Sequence, residues 1–319
     1  MEAVGVGVKR TRLDLNEVLE QFILDCKLRG LSEKTMIGYK SCISTFIDFL
    51  SRKGLSIEDV DNQVLKEFLG YLKFERRIKH KTVKEYFSAL SALYDYLAFD
   101  GKVKSNIILP FRKRYLRQYK DDFEDPQRKL LSVEEMARLV NSIMDPRDKA
   151  MAVLLAKTGV RRGELIRLDV DDINWDNYSI MLKPTPKRSN RIVFFDEECA
   201  IVLRRWLRVR EKFNPKTKAL FVSYNTLDRI SRNGVWNVIV KYAIKLGFHR
   251  PDSPRLEDHF GPHCFRHWFT TWLLRNGMPR EYVKELRGDK RREAIDIYHH
   301  IDGEELRRAY LACIPKLGI

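Results

Sequence analysis

The spacing of apolar side chains constrains the fold of this chain more than any other feature. Over residues 13–111 apolar residues recur every three or four positions, as at Ile43 and Ile47, which is typical of helices with one buried face. Glycines end these helices, and the predicted N-caps of two of them are Ser32 and Ser56. We therefore expect a four-helix bundle in this part of the chain.

The helical pattern stops at residues 112–128, where a basic cluster is followed by an acidic cluster and by Pro126. Such a stretch is typical of a linker. The pattern resumes near residue 129, where Ser132 and Glu135 match a capping box. The start of a second domain is therefore predicted there.

Within the second domain, two β-prone segments, 178–182 and 191–195, flank a polar stretch and should pair as a hairpin. A third short strand is predicted at 168–170, and helices follow to the end. The fold class is therefore mainly α with two domains, the second an α+β domain with a small antiparallel sheet. The predicted segments are a basic tail (1–12), a helical domain (13–111), a linker (112–128) and a second domain (129–319).

The chain of 319 residues carries a formal net charge of +16, so we expect a nucleic acid partner that is held along many phosphates. No apolar run approaches the roughly 20 residues that span a bilayer, and no signal peptide follows Met1. A cytoplasmic, nucleoid-associated protein without a membrane partner is predicted. The five cysteines form no CxxC pair, which argues against a disulfide framework or a zinc ribbon.

Two arginines are the predicted ligands of a phosphate. Arg161 and Arg266 carry guanidinium forks that match phosphate oxygens and stay charged at working pH. Glu164 lies one helical turn after Arg161 and is predicted to orient Arg161 or a neighbouring basic group. Taken alone, Arg161 would more simply be a solvated charge at a helix start.

The sequence His263-Cys264-Phe265-Arg266 places His263 and Arg266 on one helical face. A zinc site is the alternative, since His259, His263 and His267 recur every four residues, but an HExxH pattern is absent. We therefore predict no metal. His267 is interpreted as a supporting or core histidine, and Cys264 as a core residue.

Tyr298 lies thirty-two positions after Arg266 and thirty-five after His263. This ordered set of Arg161, His263, Arg266 and Tyr298 resembles the tyrosine recombinase family, which includes phage-type integrases and Xer-like enzymes. The resemblance implies an N-terminal SAM-like core-binding bundle (13–111) and a C-terminal catalytic domain (129–319) that clamp a DNA duplex.

The same resemblance implies that Tyr298 attacks phosphorus and forms a 3′-phosphotyrosyl intermediate with a free 5′-hydroxyl. No cofactor is needed, because the covalent link stores the phosphodiester energy, and the chain has no GxxxxGK[ST] loop. Tyr282 and Tyr310 are the fallback nucleophiles.

In the family the general acid is a lysine on the β-hairpin. Lys187 is preferred here because its distance from the second strand suits the hairpin tip, and Lys183 is the alternative. One position departs from the family pattern, because Asp289 stands where many relatives have histidine. We expect Asp289 to pair with a basic side chain such as Arg287, or to turn away, and to position the site without contacting phosphate.

The function that the resemblance implies is site-specific DNA recombination, used in integration and excision or in Xer-type dimer resolution. The expected partners are double-stranded DNA with inverted-repeat sites, a homotetramer in the synapse, and accessory DNA-bending proteins. The amphipathic segment 302–317 is expected to dock on a neighbouring protomer or on its own core. The alternatives are a type IB topoisomerase, a non-catalytic DNA-binding protein and a zinc hydrolase.

Overall fold

The computed structural model describes residues 14–117, 129–184, 191–289 and 301–319. The chain divides into two compact units, Met1–Phe123 and Glu124–Ile319. The predicted basic tail (1–12) and residues 118–128 of the predicted linker lie outside the described residues, so the full set of domain boundaries stays a prediction. None of the described helices is both long and apolar enough to cross a lipid bilayer.

The first unit is built from helices around an aromatic core. In chain order the elements are α1 (Leu15–Leu28), α2 (Glu33–Arg52), α3 (Asn62–Gly70), a π-helical turn (Tyr71–Glu75), α4 (His80–Phe99) and α5 (Ile108–Tyr115). Phe22, Phe46, Phe68 and Phe87 are fully buried between the helices. The first four helices form the bundle that the apolar spacing predicts, and the short α5 follows them.

The ends of these helices agree with the sequence in part. Ser32 caps α2, since its hydroxyl accepts a hydrogen bond from the Thr35 amide. The prediction for Ser56 is wrong: Ser56 donates to Asp59 within a turn, and Asp61 caps α3 instead. A serine hydroxyl can serve a local turn as well as a helix start, so the sequence signal is ambiguous.

Helix α5 covers the first residues of the predicted 112–128 linker. Phe111 and Leu116 are buried in the core of the first unit. Burial of these two side chains holds residues 112–116 on the bundle, although the local sequence is basic and lacks a helical period. Residues 112–116 therefore belong to the first unit.

The second unit surrounds a helix that is buried on all sides, α7 (Pro146–Thr158). The other helices are α6 (Val133–Asn141), α8 (Arg162–Arg167), α9 (Glu197–Lys212), α10 (Arg232–Lys245), α11 (Pro262–Arg275), α12 (Arg280–Arg287) and α13 (Gly303–Cys313). The predicted capping box at the start of α6 is confirmed, because Ser132 and Glu135 exchange side-chain and backbone hydrogen bonds.

A small antiparallel sheet lies between α8 and α9. Its strands are β1 (Ile173–Asn174), β2 (Ser179–Leu182) and β3 (Arg191–Phe194), in the order β1-β2-β3. The predicted hairpin is confirmed as β2 and β3. The predicted third strand at 168–170 is wrong: Asp169 makes only an isolated bridge to Ala219, and a 3₁₀ turn separates it from β1.

The C-terminal segment packs on the second unit. Tyr310 of α13 is fully buried, and its hydroxyl donates to the Lys157 carbonyl at 2.8 Å. The Glu198 carboxylate accepts the amides of Leu317 and Gly318. Packing on its own core is therefore the arrangement of the single chain, and docking on a neighbouring protomer stays a prediction for an assembled form.

Candidate active site

Arg161 is placed by a tight turn between α7 and α8. Gly159 ends α7 in the left-handed region, with φ +59°, and a Cβ there would lie 2.3 Å from the ring of Phe269. Only glycine fits this approach. The turn leaves Arg161 at the start of α8 with 30% of its side chain exposed, so its guanidinium can meet a ligand from solvent.

Arg161 and Arg266 converge on one backbone oxygen. Arg266, on α11, donates to the carbonyl of Arg287 at 2.8 Å, and Arg161 donates to the same oxygen at 3.2 Å. Arg266 is buried and also donates to the Gly159 carbonyl at 2.9 Å. The structure thus brings together the two arginines that the sequence selected as phosphate ligands.

Positive charge is concentrated around Arg266. Burial, together with the positive charges of Arg161 and Arg287, lowers the pKa of Arg266 to about 9. The group stays charged at neutral pH, but at an electrostatic cost that a nearby anion would relieve. The arginine cluster formed by Arg161, Arg266 and Arg287 is therefore suited to bind an anion.

Asp289 supplies one negative charge to this cluster. Its carboxylate oxygens lie 3.1 Å from Nε of Arg287, 3.4 Å from Nη2 of Arg266 and 3.6 Å from Nη2 of Arg161. The expected pairing with Arg287 is confirmed, and the contacts with the other two arginines were not foreseen. Asp289 therefore lies within the arginine cluster, where it partly neutralises three guanidinium groups.

Glu164 is connected to the arginine cluster through Arg191 and through the Arg161 amide. The Arg191 guanidinium donates two hydrogen bonds of 3.0 Å to the Glu164 carboxylate, and it donates a third to the Leu286 carbonyl. Glu164 also accepts the Arg161 amide at 2.7 Å. The predicted partner of Glu164, Arg161 or a neighbouring basic group, is thus mainly Arg191, which links β3 to α8 and to the end of α12.

The electrostatics of Glu164 reflect this pairing. Burial alone would raise the pKa of the Glu164 carboxyl, but the hydrogen bonds and charge of Arg191, with those of Arg161, outweigh burial and hold the pKa below its usual value. Glu164 is therefore ionised at neutral pH. Sequence reasoning missed Arg191; the available signal was a charged residue opening an otherwise apolar strand.

The histidines of α11 point to solvent. His263 is exposed at the second position of α11, one turn before Arg266. His267 is exposed as well, so the core alternative for it is wrong and the supporting role stays a prediction, whereas Cys264 is buried as predicted. Across the described parts of the chain, no three His, Cys, Asp or Glu side chains are grouped as metal ligands.

Lys187 and Tyr298 lie outside the described residues. The alternative general acid, Lys183, forms ion pairs with Asp169 and with Asp172, the latter at 3.3 Å. Burial alone would lower the pKa of Lys183, but the hydrogen bond that its ammonium donates to Asp169 and the charges of both carboxylates raise it. Such pairing makes Lys183 a poorer proton donor than an unpaired lysine.

The two fallback nucleophiles are in unsuitable surroundings. Tyr310 is fully buried, and burial raises its pKa well above the usual value. The hydroxyl of Tyr282 donates to Glu305, and this hydrogen bond raises the pKa of Tyr282. Neither phenol can ionise easily.

Comparison with known families and structures agrees with this geometry. Residues 129–305 match the phage integrase family, and residues 18–100 match the phage integrase N-terminal SAM-like domain. Tyrosine recombinase XerC of Histophilus somni is 29% identical, covering 90% of this chain and 93% of its own length. Tyrosine recombinase XerD of Staphylococcus epidermidis is 25% identical, covering 95% and 100%.

Solved structures share the fold. XerH site-specific recombinase bound to palindromic difH substrate has a TM-score of 0.65 at 22% identity, covering 91% of this chain and 83% of that one. A lambda integrase fragment bound to a COC′ core site has a TM-score of 0.66 at 17% identity, covering 91% and 98%. The comparisons do not favour the topoisomerase or the non-catalytic alternative. The chain belongs to the phage integrase family and is a tyrosine-type site-specific DNA recombinase.

Proposed function

We propose that this recombinase binds the scissile phosphate of double-stranded DNA with Arg161 and Arg266, and that Tyr298 attacks it. The observation that carries the proposal is the shared acceptor: both guanidiniums donate to the Arg287 carbonyl. Two forks converging on one oxygen are close enough to bind the two non-bridging oxygens of one phosphate.

The charges of the cluster support this role. Arg161, Arg266 and Arg287 carry three positive charges, and Asp289 offsets one of them. A phosphodiester adds one negative charge, and the transition state of its transfer spreads charge over the equatorial oxygens. Fixed cations around that position stabilise the transition state without a metal ion.

The covalent step uses residues that the sequence selected. The Tyr298 phenol loses its proton to solvent, and its oxygen forms a bond to phosphorus as the bond to the 5′ oxygen of the following nucleotide breaks, which gives a 3′-phosphotyrosyl ester. Lys187 donates the proton to the leaving 5′ oxygen, and His263 adds a hydrogen bond to the phosphate. Attack by a 5′-hydroxyl of the partner strand reverses the step and completes the exchange.

Glu164 and Asp289 act as positioning residues. Glu164 fixes Arg191 and the start of α8, and Asp289 holds the three guanidiniums together before DNA binds. The pairing of Lys183 with Asp169 and Asp172 supports Lys187 as the general acid. Each of these roles is inferred from the ion pairs that the side chain makes in the DNA-free protein.

The assembly and the biological use belong to the same proposal. A homotetramer on two duplexes with inverted-repeat sites, assisted by accessory DNA-bending proteins, would carry out the exchange in the cytoplasm at the nucleoid. Xer-type resolution is preferred over integration and excision, because XerC and XerD proteins match this chain over nearly their whole lengths.

The test is capture of covalent DNA adducts. The protein is incubated with fragmented DNA from its own source, the complexes are trapped in detergent, and the attached DNA is sequenced. We expect adducts at one recurrent inverted-repeat sequence, lost in Tyr298→Phe and retained in Tyr282→Phe, the matched control. Adducts scattered over all sequences would contradict site-specific recombination, and adducts that persist in Tyr298→Phe would contradict the role of Tyr298.

A further inference from the structure

The 73–81 loop of the first unit runs from the π-helical turn that follows α3 into the first turn of α4, and it has an unusual combination of side chains. It presents five cations and one acid, together with an exposed aromatic ring. The cations are Lys73, Arg76, Arg77, Lys79 and Lys81. Phe74 is 79% exposed, so its ring is held in water beside a concentrated positive charge.

The backbone of the 73–81 loop is also irregular. It begins within the π-helical turn Tyr71–Glu75, in which the Arg76 amide donates to the Tyr71 carbonyl at 3.0 Å. Arg77 adopts φ +50°, which a side chain larger than that of glycine rarely takes. Leu72 remains fully buried, so the loop is anchored to the core. π-turns and strained residues occur frequently at functional sites.

The start of α4 carries charge of the wrong sign for a helix N-terminus. Helices α1, α2 and α3 are capped by Asp14, Ser32 and Asp61. Helix α4 instead follows Lys79, which makes no side-chain capping bond, and Lys81 lies in its first turn. Cations beside the positive end of a helix dipole are unfavourable, and a bound anion would reverse that cost.

Further cations lie next to the 73–81 loop. A groove of about 500 Å³ between α4 and α5 is lined by two leucines, Leu109 and Leu116, and by four cations, Lys84, Arg112, Lys113 and Arg117. The loop and this groove together offer a run of positive charge, as a polyanion with regularly spaced phosphates requires.

We propose that the 73–81 loop is a DNA contact in which its cations hold phosphates and Phe74 packs against base edges in the adjacent groove of the duplex. The inference rests on the proposed function, since it names the surface of the first unit that holds the DNA. Phosphate contacts position a protein, whereas apolar contact with base edges distinguishes sequences. Phe74 is therefore a specificity residue, and the lysines are not.

The chain offers a matched control for Phe74. Phe99, at the opposite end of α4, is 90% exposed, but its neighbour along the chain is Asp100 rather than a cation. Replacement of either phenylalanine removes an exposed ring from the same domain, so both variants should melt at the temperature of the wild type. Only the surroundings of the two rings differ.

The test measures binding of the full chain by fluorescence anisotropy across salt concentrations. The probes are a labelled 40-bp duplex carrying the sequence captured through Tyr298 and a duplex of shuffled sequence, each of about four helical turns. We expect Phe74→Ala to weaken binding to the captured sequence about 10-fold, because an aromatic ring that is buried in the complex is lost. The slope of log affinity against log salt concentration should not change. Phe99→Ala should bind as the wild type does.

The lysines give a different signature. Lys79→Ala combined with Lys81→Ala should reduce the log–log salt slope by about 2 on both duplexes, since each phosphate contact contributes roughly 0.9. The proposal would be overturned if Phe74→Ala bound both duplexes as Phe99→Ala does. It would also be overturned if the log–log salt slope of the double lysine variant equalled that of the wild type. Either result would leave the Tyr298 adduct at saturating protein intact, so the proposed function is tested separately.

Discussion

Replacement of Asp289 by asparagine should tighten the binding of DNA at the active site. Asparagine has nearly the same shape and keeps one oxygen acceptor, but it removes the negative charge from the arginine cluster. In the DNA-free protein that charge lies 3.1 to 3.6 Å from the nitrogens of three guanidiniums. A bound phosphate must compete with the carboxylate for the same cations and must bear its repulsion.

The magnitude follows from Coulomb's law. Two unit charges about 4 Å apart interact by about 1 kcal/mol in water and about 4 kcal/mol at the effective dielectric constant of a protein surface. The Asp289 side chain is 32% exposed, which favours the lower part of that range. We expect a gain of about 1.4 kcal/mol, or about tenfold in affinity.

The assay is anisotropy titration of the captured duplex with Asp289→Asn in a Tyr298→Phe background, which prevents cleavage. Asp252→Asn is the control, since it makes the same change in net charge at an exposed turn. The gain should shrink as salt is raised, because ions screen the interaction. Binding that is no tighter than in the control would refute the competition between Asp289 and phosphate.

Three further perturbations test the parts of the site separately. Arg266→Lys should reduce the cleavage rate of a nicked duplex at least about 100-fold, because an ammonium loses the fork; near-normal cleavage would contradict the clamp. Gly159→Ala should lower the free energy of unfolding in urea by about 2 kcal/mol or more, because φ is +59° and Phe269 fills the space; an unchanged midpoint would contradict this. Glu164→Gln should lower the free energy of unfolding by about 3 kcal/mol at pH 7, because the buried Arg191 charge loses its carboxylate partner. Because the pKa of Glu164 is lowered on folding, its contribution to stability is complete above the usual pKa of 4.5 and is lost as pH falls through the pKa of the folded state. The difference in unfolding free energy between wild type and Glu164→Gln should therefore shrink in acid. A difference that stays constant with pH would count against the ion pair.

The sequence predicted the parts of this molecule that depend on local signals. Ser32 and the Ser132–Glu135 box were found because capping involves residues three apart. The β2–β3 hairpin was found because its two strands are close in sequence and β-prone. Arg161 and Arg266 were selected by their chemistry and by the family resemblance, and the structure brings their guanidiniums to one oxygen.

The parts that escaped prediction depend on contacts between distant residues. Arg191 meets Glu164 only because β3 lies beside α8 and the end of α12, an arrangement that the packing of the second unit determines. The place of Asp289 among three arginines depends on how α12 ends against α11. The two-residue strand β1 is too short to show a period of its own, and the exposure of His267 depends on which face of α11 is covered.

The central claim is that Tyr298 forms the covalent bond to DNA, and mass spectrometry of the trapped complex tests it most directly. The wild-type adduct on the captured sequence is digested with nuclease and trypsin, and the peptide carrying a residual nucleotide is sequenced. We predict a 3′-linked nucleotide on Tyr298, in the tryptic peptide Glu293–Arg307. A nucleotide on Tyr282, on Tyr310 or on any other residue would contradict the account.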